Sequence, residues 1–168
     1  KRELAALGGM TVLNLTTCYS ITDAVIARLP PTLRVLDVSE CQGVTRRTSF
    51  THLAMLESLD CSNTEVVKAG LARLPSSLRE LRMCSNYNIY EKDEDNKWSA
   101  AHLTHLRMLN ASGTTITDAA IATLPPYLCV LNLGACEQVS SAASFAHLTR
   151  LHTFRISTSA PIRSFAPT

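Results

Sequence analysis

The chain has 168 residues, 46% of them hydrophobic and 5% aromatic, with a formal net charge of +2. That charge is too small for a dedicated nucleic-acid binder, which would carry a marked basic excess. No apolar run approaches the length of a bilayer span, and no charged start followed by an apolar stretch reads as a signal peptide.

Residues Lys1 to Gly9 read as the back half of a repeating unit, since Leu4, Leu7 and Met10 line up with Phe50, Leu53 and Leu56. From there the pattern Leu-x-x-Leu-x-Leu-x-x-Cys, clearest from Leu128 to Cys136, occurs in seven copies. They start at Met10, Leu33, Leu56, Leu78, Leu106, Leu128 and Leu151. Between the equivalent residues Leu13, Leu36, Leu59, Leu81, Leu109, Leu131 and Phe154 the steps are 23, 23, 22, 28, 22 and 23 residues. A period this regular marks a solenoid, in which each unit buries its apolar face against its neighbours.

The units alternate in the segment that comes after the strand. Ile21 to Pro30 and Ile116 to Pro125 read as short helices stopped by proline, with Thr22 and Thr117 as N-caps and Asp23 and Asp118 in the first turn. The middle copy, Val66 to Pro75, lacks the Thr-Asp pair and contains Gly70, so its helix should be the weakest. The other kind carries Phe50-Thr51-His52-Leu53, Ala100-Ala101-His102-Leu103 and Phe145-Ala146-His147-Leu148. The fourth unit is longer than its relatives by five residues. Its extra segment, Tyr87 to Trp98, holds an acidic run and the only tryptophan. Tyr87, Tyr90 and Trp98 are candidate loop contacts, because insertions in solenoids emerge as loops. For Trp98 the alternative is a place in the outer core where Phe50 and Phe145 stand in other units.

The repeat resembles the leucine-rich repeat, nearest to its cysteine-containing, ribonuclease-inhibitor-like variants, and the resemblance covers the whole chain. It implies an α/β solenoid, a right-handed horseshoe with about seven short parallel strands inside and short helices or turns on the convex side. Residues 1–168 are then a single array. With apolar edges and no obvious polar cap at either end, it reads as a fragment of a longer protein or as an array capped by self-association. The resemblance implies a non-enzymatic binding module or scaffold. The Ile-Thr-Asp units also look like those attached to F-box domains, which makes the substrate-recruiting region of a ubiquitin ligase an alternative; an architectural spacer is another.

Strand residues alternate between core and inner surface. The fifth position of the repeat, on the inner surface, reads Asn14, Asp37, Asp60, Arg82, Asn110, Asn132 and Arg155. We take Asp37, Asp60, Arg82, Asn110, Asn132 and Arg155 as candidate contacts for a protein partner on the concave face. The third position, Val12, Val35, Ser58, Glu80, Met108, Val130 and Thr153, lies beside it and is partly apolar. Arg34, Arg79 and Arg107 fall at the second position, a basic edge interrupted by Glu57.

Nothing calls for catalysis, a cofactor or a metal. No phosphate loop, Gly-x-Ser-x-Gly, His-Glu-x-x-His or Cys-x-x-Cys occurs. His52, His102 and His147 recur in alternate units, roughly 10 Å apart, too far to share one ion. Cys84 is the best candidate nucleophile, but His105 stands seven positions from its level, about 23 Å along a strand. Asn14-Leu15-Thr16 and Asn110-Ala111-Ser112 match the glycosylation acceptor pattern, yet the repeat itself requires those residues. The six cysteines, with no paired cysteine caps flanking the array, read as thiols of a reducing, cytoplasmic compartment.

Overall fold

The computed structural model describes residues 9–66, 71–85 and 98–157. Seven strands, β1 (Val12–Asn14), β2 (Val35–Asp37), β3 (Ser58–Asp60), β4 (Glu80–Arg82), β5 (Met108–Asn110), β6 (Val130–Gly134) and β7 (Thr153–Ser157), form one parallel sheet in sequence order. The register follows the repeat column by column: Leu13 pairs with Leu36, Leu36 with Leu59, Leu59 with Leu81, Leu81 with Leu109, Leu109 with Leu131 and Leu131 with Phe154. The chain is therefore a solenoid with one coil per unit, the architecture its period implies.

Positions one, four and six of the repeat face inward because the strand period sends alternate side chains to opposite faces. Leu33, Leu36 and Val38 in one coil, Leu56, Leu59 and Cys61 in the next, and Leu78, Leu81 and Met83 after them are almost wholly buried in one continuous core. At the two ends of the sheet the same columns, Met10, Leu13 and Leu15, and Leu151, Phe154 and Ile156, are only partly buried, since among the described residues each has a strand neighbour on one side.

The predicted helices shrink to single turns, α1 (Asp23–Ile26) and α2 (Asp118–Ile121). Thr117 caps as expected, its hydroxyl accepting the Ala120 N–H, whereas Thr22 makes no side-chain cap. After each of these turns a proline carbonyl accepts the N–H of the next strand's leading leucine: Pro30 from Leu33 at 3.2 Å and Pro125 from Leu128 at 3.1 Å. Pro75 does the same for Leu78 at 3.1 Å. Of the middle helix expected from Val66 to Pro75, residues 67–70 lie outside the described residues.

The aspartates of the two helices do more than complement a dipole. Asp23 accepts the Thr45 N–H at 2.8 Å and the Thr45 hydroxyl at 2.6 Å, and also the Thr48 hydroxyl, all from the following coil. Asp118 accepts the Ser140 N–H at 2.9 Å and hydroxyl at 2.5 Å in the same way. Each is a staple from a helix-bearing unit to the histidine-bearing unit behind it. Burial pushes the Asp23 carboxyl up, but the donors of Thr45 and Thr48 and the charge of Arg47 outweigh it and hold it below its ordinary value.

Four residues before each leading leucine, the column alternates Leu29, His52, Leu74, His102, Leu124 and His147. The leucines are buried, and the ring Nε2 of each histidine is buried with no hydrogen-bond partner. The histidines are thus packing residues, one in every second coil. A related exchange of bulk runs through the outer core. Where Phe50 stands six residues before its leucine, Thr48 stands eight before; Phe145 has Ala143; the fourth unit inverts the pair, with Trp98 at the outer position and Ala100 at the inner. All six of these side chains are buried, Trp98 at 7% exposure.

Candidate functional site

The fifth column divides by chemistry. Asp37 Oδ1 accepts the Ser39 N–H at 2.9 Å and the Ser39 hydroxyl at 2.7 Å; Asp60 Oδ1 accepts the Ser62 N–H at 3.0 Å. Asn110 takes the Ser112 N–H at 3.3 Å and Asn132 the Gly134 N–H at 3.1 Å. Asn14 does the same for Thr16, at 2.9 Å from the N–H and 2.7 Å from the hydroxyl. Each side chain closes an Asx turn two residues on, which lets the backbone leave the sheet without a buried orphan donor. One oxygen of each group is thereby committed to the fold.

Arg82 has only donors and cannot close such a turn. At that coil the N–H of Cys84 goes instead to the Ser62 hydroxyl of the preceding coil, at 3.0 Å. Arg82 is left on the open face, paired with Glu80 at 3.4 Å, and Arg155 is exposed at the last strand. The structure thus leaves the two arginines as the members of the column whose side chains the turn does not use.

After each turn the eighth residue is left-handed: Thr17, Glu40, Asn63, Ser85, Gly113 and Ala135 have φ of 59°, 61°, 53°, 55°, 65° and 55°. Only Gly113 and Asn63 belong to residue types that favour this conformation. Sequence reasoning missed the column because four of its six members carry no signal for it.

The third column adds apolar surface. Val12 is 61% exposed and Val35 37%, and they are directly paired across β1 and β2, next to Asp37. Met108 and Val130 are half-buried farther along. The inner face therefore carries an apolar patch at its beginning, the acidic pair Asp37 and Asp60 beside it, and basic residues at Arg82 and Arg155.

At the edge where the chain enters the strands, Glu57 lies between two guanidinium groups, bonded to Arg34 on one side and 3.5 Å from Arg79 on the other. Arg107, the next in line, lies over the Tyr127 ring at 5.4 Å to the centroid, a cation–π contact. Tyr127 is 54% exposed, a feature no periodicity signals.

The remaining candidates separate. Tyr87 and Tyr90 lie outside the described residues, whereas Trp98 occupies the outer core, the packing alternative, and is not placed for surface contact. The Cys84 thiol points toward the Asn110 carbonyl at 3.9 Å, while His105 Nδ1 is engaged with the Ser76 carbonyl at 3.0 Å, so the two form no pair. Burial pushes the thiols of Cys41, Cys61 and Cys136 up, and no cysteine of the six is in a disulfide. Among the described residues no group of three or more histidine, cysteine or acidic side chains converges on a metal-sized site, and no helix is long and apolar enough to cross a membrane.

No protein-family model matches the chain, and no curated protein does. Solved structures do. An internalin (inlF) of Listeria monocytogenes superposes with a TM-score of 0.67 at 24% identity over 95% of this chain and 45% of its own. The leucine-rich repeat-containing protein LegL7 of Legionella pneumophila gives 0.46 at 18% identity, over 92% of this chain and 59% of its own. The chain spans less than two thirds of either. With the period, the seven in-register parallel strands and the internalin superposition together, the chain is by fold a leucine-rich-repeat solenoid.

Proposed function

We infer that the chain is a protein-recognition module whose partner sits on the inner face of the sheet. The observation that carries this reading is the exposed apolar pair Val12 and Val35 standing beside Asp37 and Asp60, since large apolar side chains on an open sheet face supply contact area while flanking charges set register. Arg82 and Arg155 meet acidic groups of the partner; Asp37 and Asp60 offer their second carboxylate oxygen, and Asn110 and Asn132 their amide nitrogens. The partner is a protein and not a nucleic acid, in keeping with a net charge of +2. Recognition here needs no catalysis or cofactor. The six thiols outside any disulfide support a reducing, cytoplasmic setting.

The test is capture from a native extract by the chain and by two folded variants. Arg82→Gln with Arg155→Gln removes contacts the turns do not need. Val12→Lys with Val35→Lys puts charge into the apolar patch. Proteins held by the parent and lost by both variants support the reading. Capture of the same set by all three refutes it and leaves the role of a spacer, or a surface elsewhere on the coil.

A further inference from the structure

We propose that the strand-entry edge of the middle coils, centred on Arg79, Arg107 and Tyr127, is a second interaction surface, which docks an acidic segment of a partner protein. It lies apart from the inner face and does not depend on the reading given for that face. Backbone hydrogen bonds fix the geometry: the Arg34 carbonyl accepts the Glu57 N–H at 2.8 Å, Glu57 accepts from Arg79 at 2.7 Å, and Arg79 from Arg107 at 2.8 Å. The four residues therefore form one ladder with a spacing of about 4.8 Å.

The first half of the ladder is internally neutralised. Glu57 is held between Arg34 and Arg79, which demonstrates that this edge seats a carboxylate between guanidinium groups on neighbouring coils. The second half lacks the matching acid. Arg79 and Arg107 are like charges on adjacent coils, and the ladder continues with Cys129 and His152, neither of them an acid. Arg107 is exposed, as is Arg150, which stands one residue before Leu151 as Tyr127 stands one before Leu128. A carboxylate supplied from outside would repeat beside Arg107 what Glu57 does beside Arg34.

Tyr127 adds the apolar component. The Arg107 guanidinium lies over the exposed ring, 5.4 Å from its centroid, a cation–π contact that anchors one side of the charge and leaves its remaining N–H donors able to take a carboxylate. An acidic peptide fits this edge better than a polyphosphate chain does, because Glu57 breaks the run of positive charge that a phosphate backbone would follow.

The probe is a fluorescent oligoglutamate peptide, titrated with the whole chain and read by anisotropy, with an oligothymidylate of equal length in parallel. Saturable peptide binding that falls with salt is expected. Arg79→Glu with Arg107→Glu should weaken it by about tenfold or more, and Arg107→Gln alone by severalfold. The convex-side pair Arg28→Glu with Arg73→Glu, which changes net charge equally, should leave it within about twofold. Unchanged melting midpoints establish that each variant is folded. Equal losses from the two pairs, tighter binding of the oligothymidylate, or no saturable binding of the peptide would each overturn the proposal.

Discussion

Asp37 offers the clearest way to separate holding the fold from meeting a partner. Replacing it by alanine removes the acceptor of two hydrogen bonds, at 2.9 and 2.7 Å from Ser39, and leaves the Ser39 N–H to find water at a half-buried site. A net bond is worth about 1 kcal/mol, somewhat more with a charged acceptor and less where solvent can substitute, so the expected loss is about 1–2 kcal/mol. For a domain of this size that lowers the melting midpoint by roughly 3–6 °C. Asp37→Asn keeps the acceptor oxygen, and Asn14, Asn110 and Asn132 already close the same turn in other coils. Its expected change is within about 0.5 kcal/mol. Thermal unfolding followed by circular dichroism gives both numbers. Equal loss from the two substitutions, or no loss from alanine, would refute the assignment of the fifth column to strand termination.

Four further outcomes are expected. Trp98→Ala should cost about 3–5 kcal/mol, because it empties a core position that Ala100 cannot fill, and the lone tryptophan's emission in the parent should shift to the red on unfolding. In native protein at mildly alkaline pH, iodoacetamide should label Cys18, Cys84 and Cys129, with Cys41, Cys61 and Cys136 reacting only after denaturation; peptide mass spectrometry reads the sites. Because the Asp23 carboxyl is held below 3.8 in the folded chain, its contribution is present above that pH and disappears as the pH falls through the folded value. The stability gap between parent and Asp23→Ala, measured by urea titration, should therefore narrow below pH 3.8. Gly43→Ala would set a Cβ 2.3 Å from the Ile21 carbonyl oxygen, so it should unfold at clearly lower temperature than the parent, while the same change at Gly9, where a Cβ meets none of the described residues, should not.

How much of this was legible depends on what a period can encode. Burial repeats with the coil, so the leucine columns, the order of strands and their register were readable from spacing alone. The polar columns were readable as positions but not as roles. Asp37 and Arg82 share a column and a face, yet one accepts a backbone N–H and the other cannot, a distinction that appears only when the turn two residues later is seen. The left-handed eighth position was hidden because Thr17, Glu40, Ser85 and Ala135 adopt it under compulsion of the surrounding coil and not by preference. Trp98 stands within two residues of the position its neighbours give to phenylalanine, and its burial depends on the compensating loss of bulk at Ala100. The cation–π contact of Arg107 with Tyr127 joins two adjacent coils and leaves no trace in either one's spacing.

The alternation of the coils sets the unit in which such a chain can be lengthened or cut. Excising one coil would bring leucine against leucine or histidine against histidine in the column through Leu29 and His52, and a cut between the two ends of a staple would separate the aspartate from its Thr45 or Ser140 counterpart. Removing two consecutive coils restores the alternation, and both staples survive when the cut spares residues 23–48 and 118–140. An engineer shortening the array would therefore splice at an interval of two coils, from Leu59 to Leu109, instead of from one strand to the next.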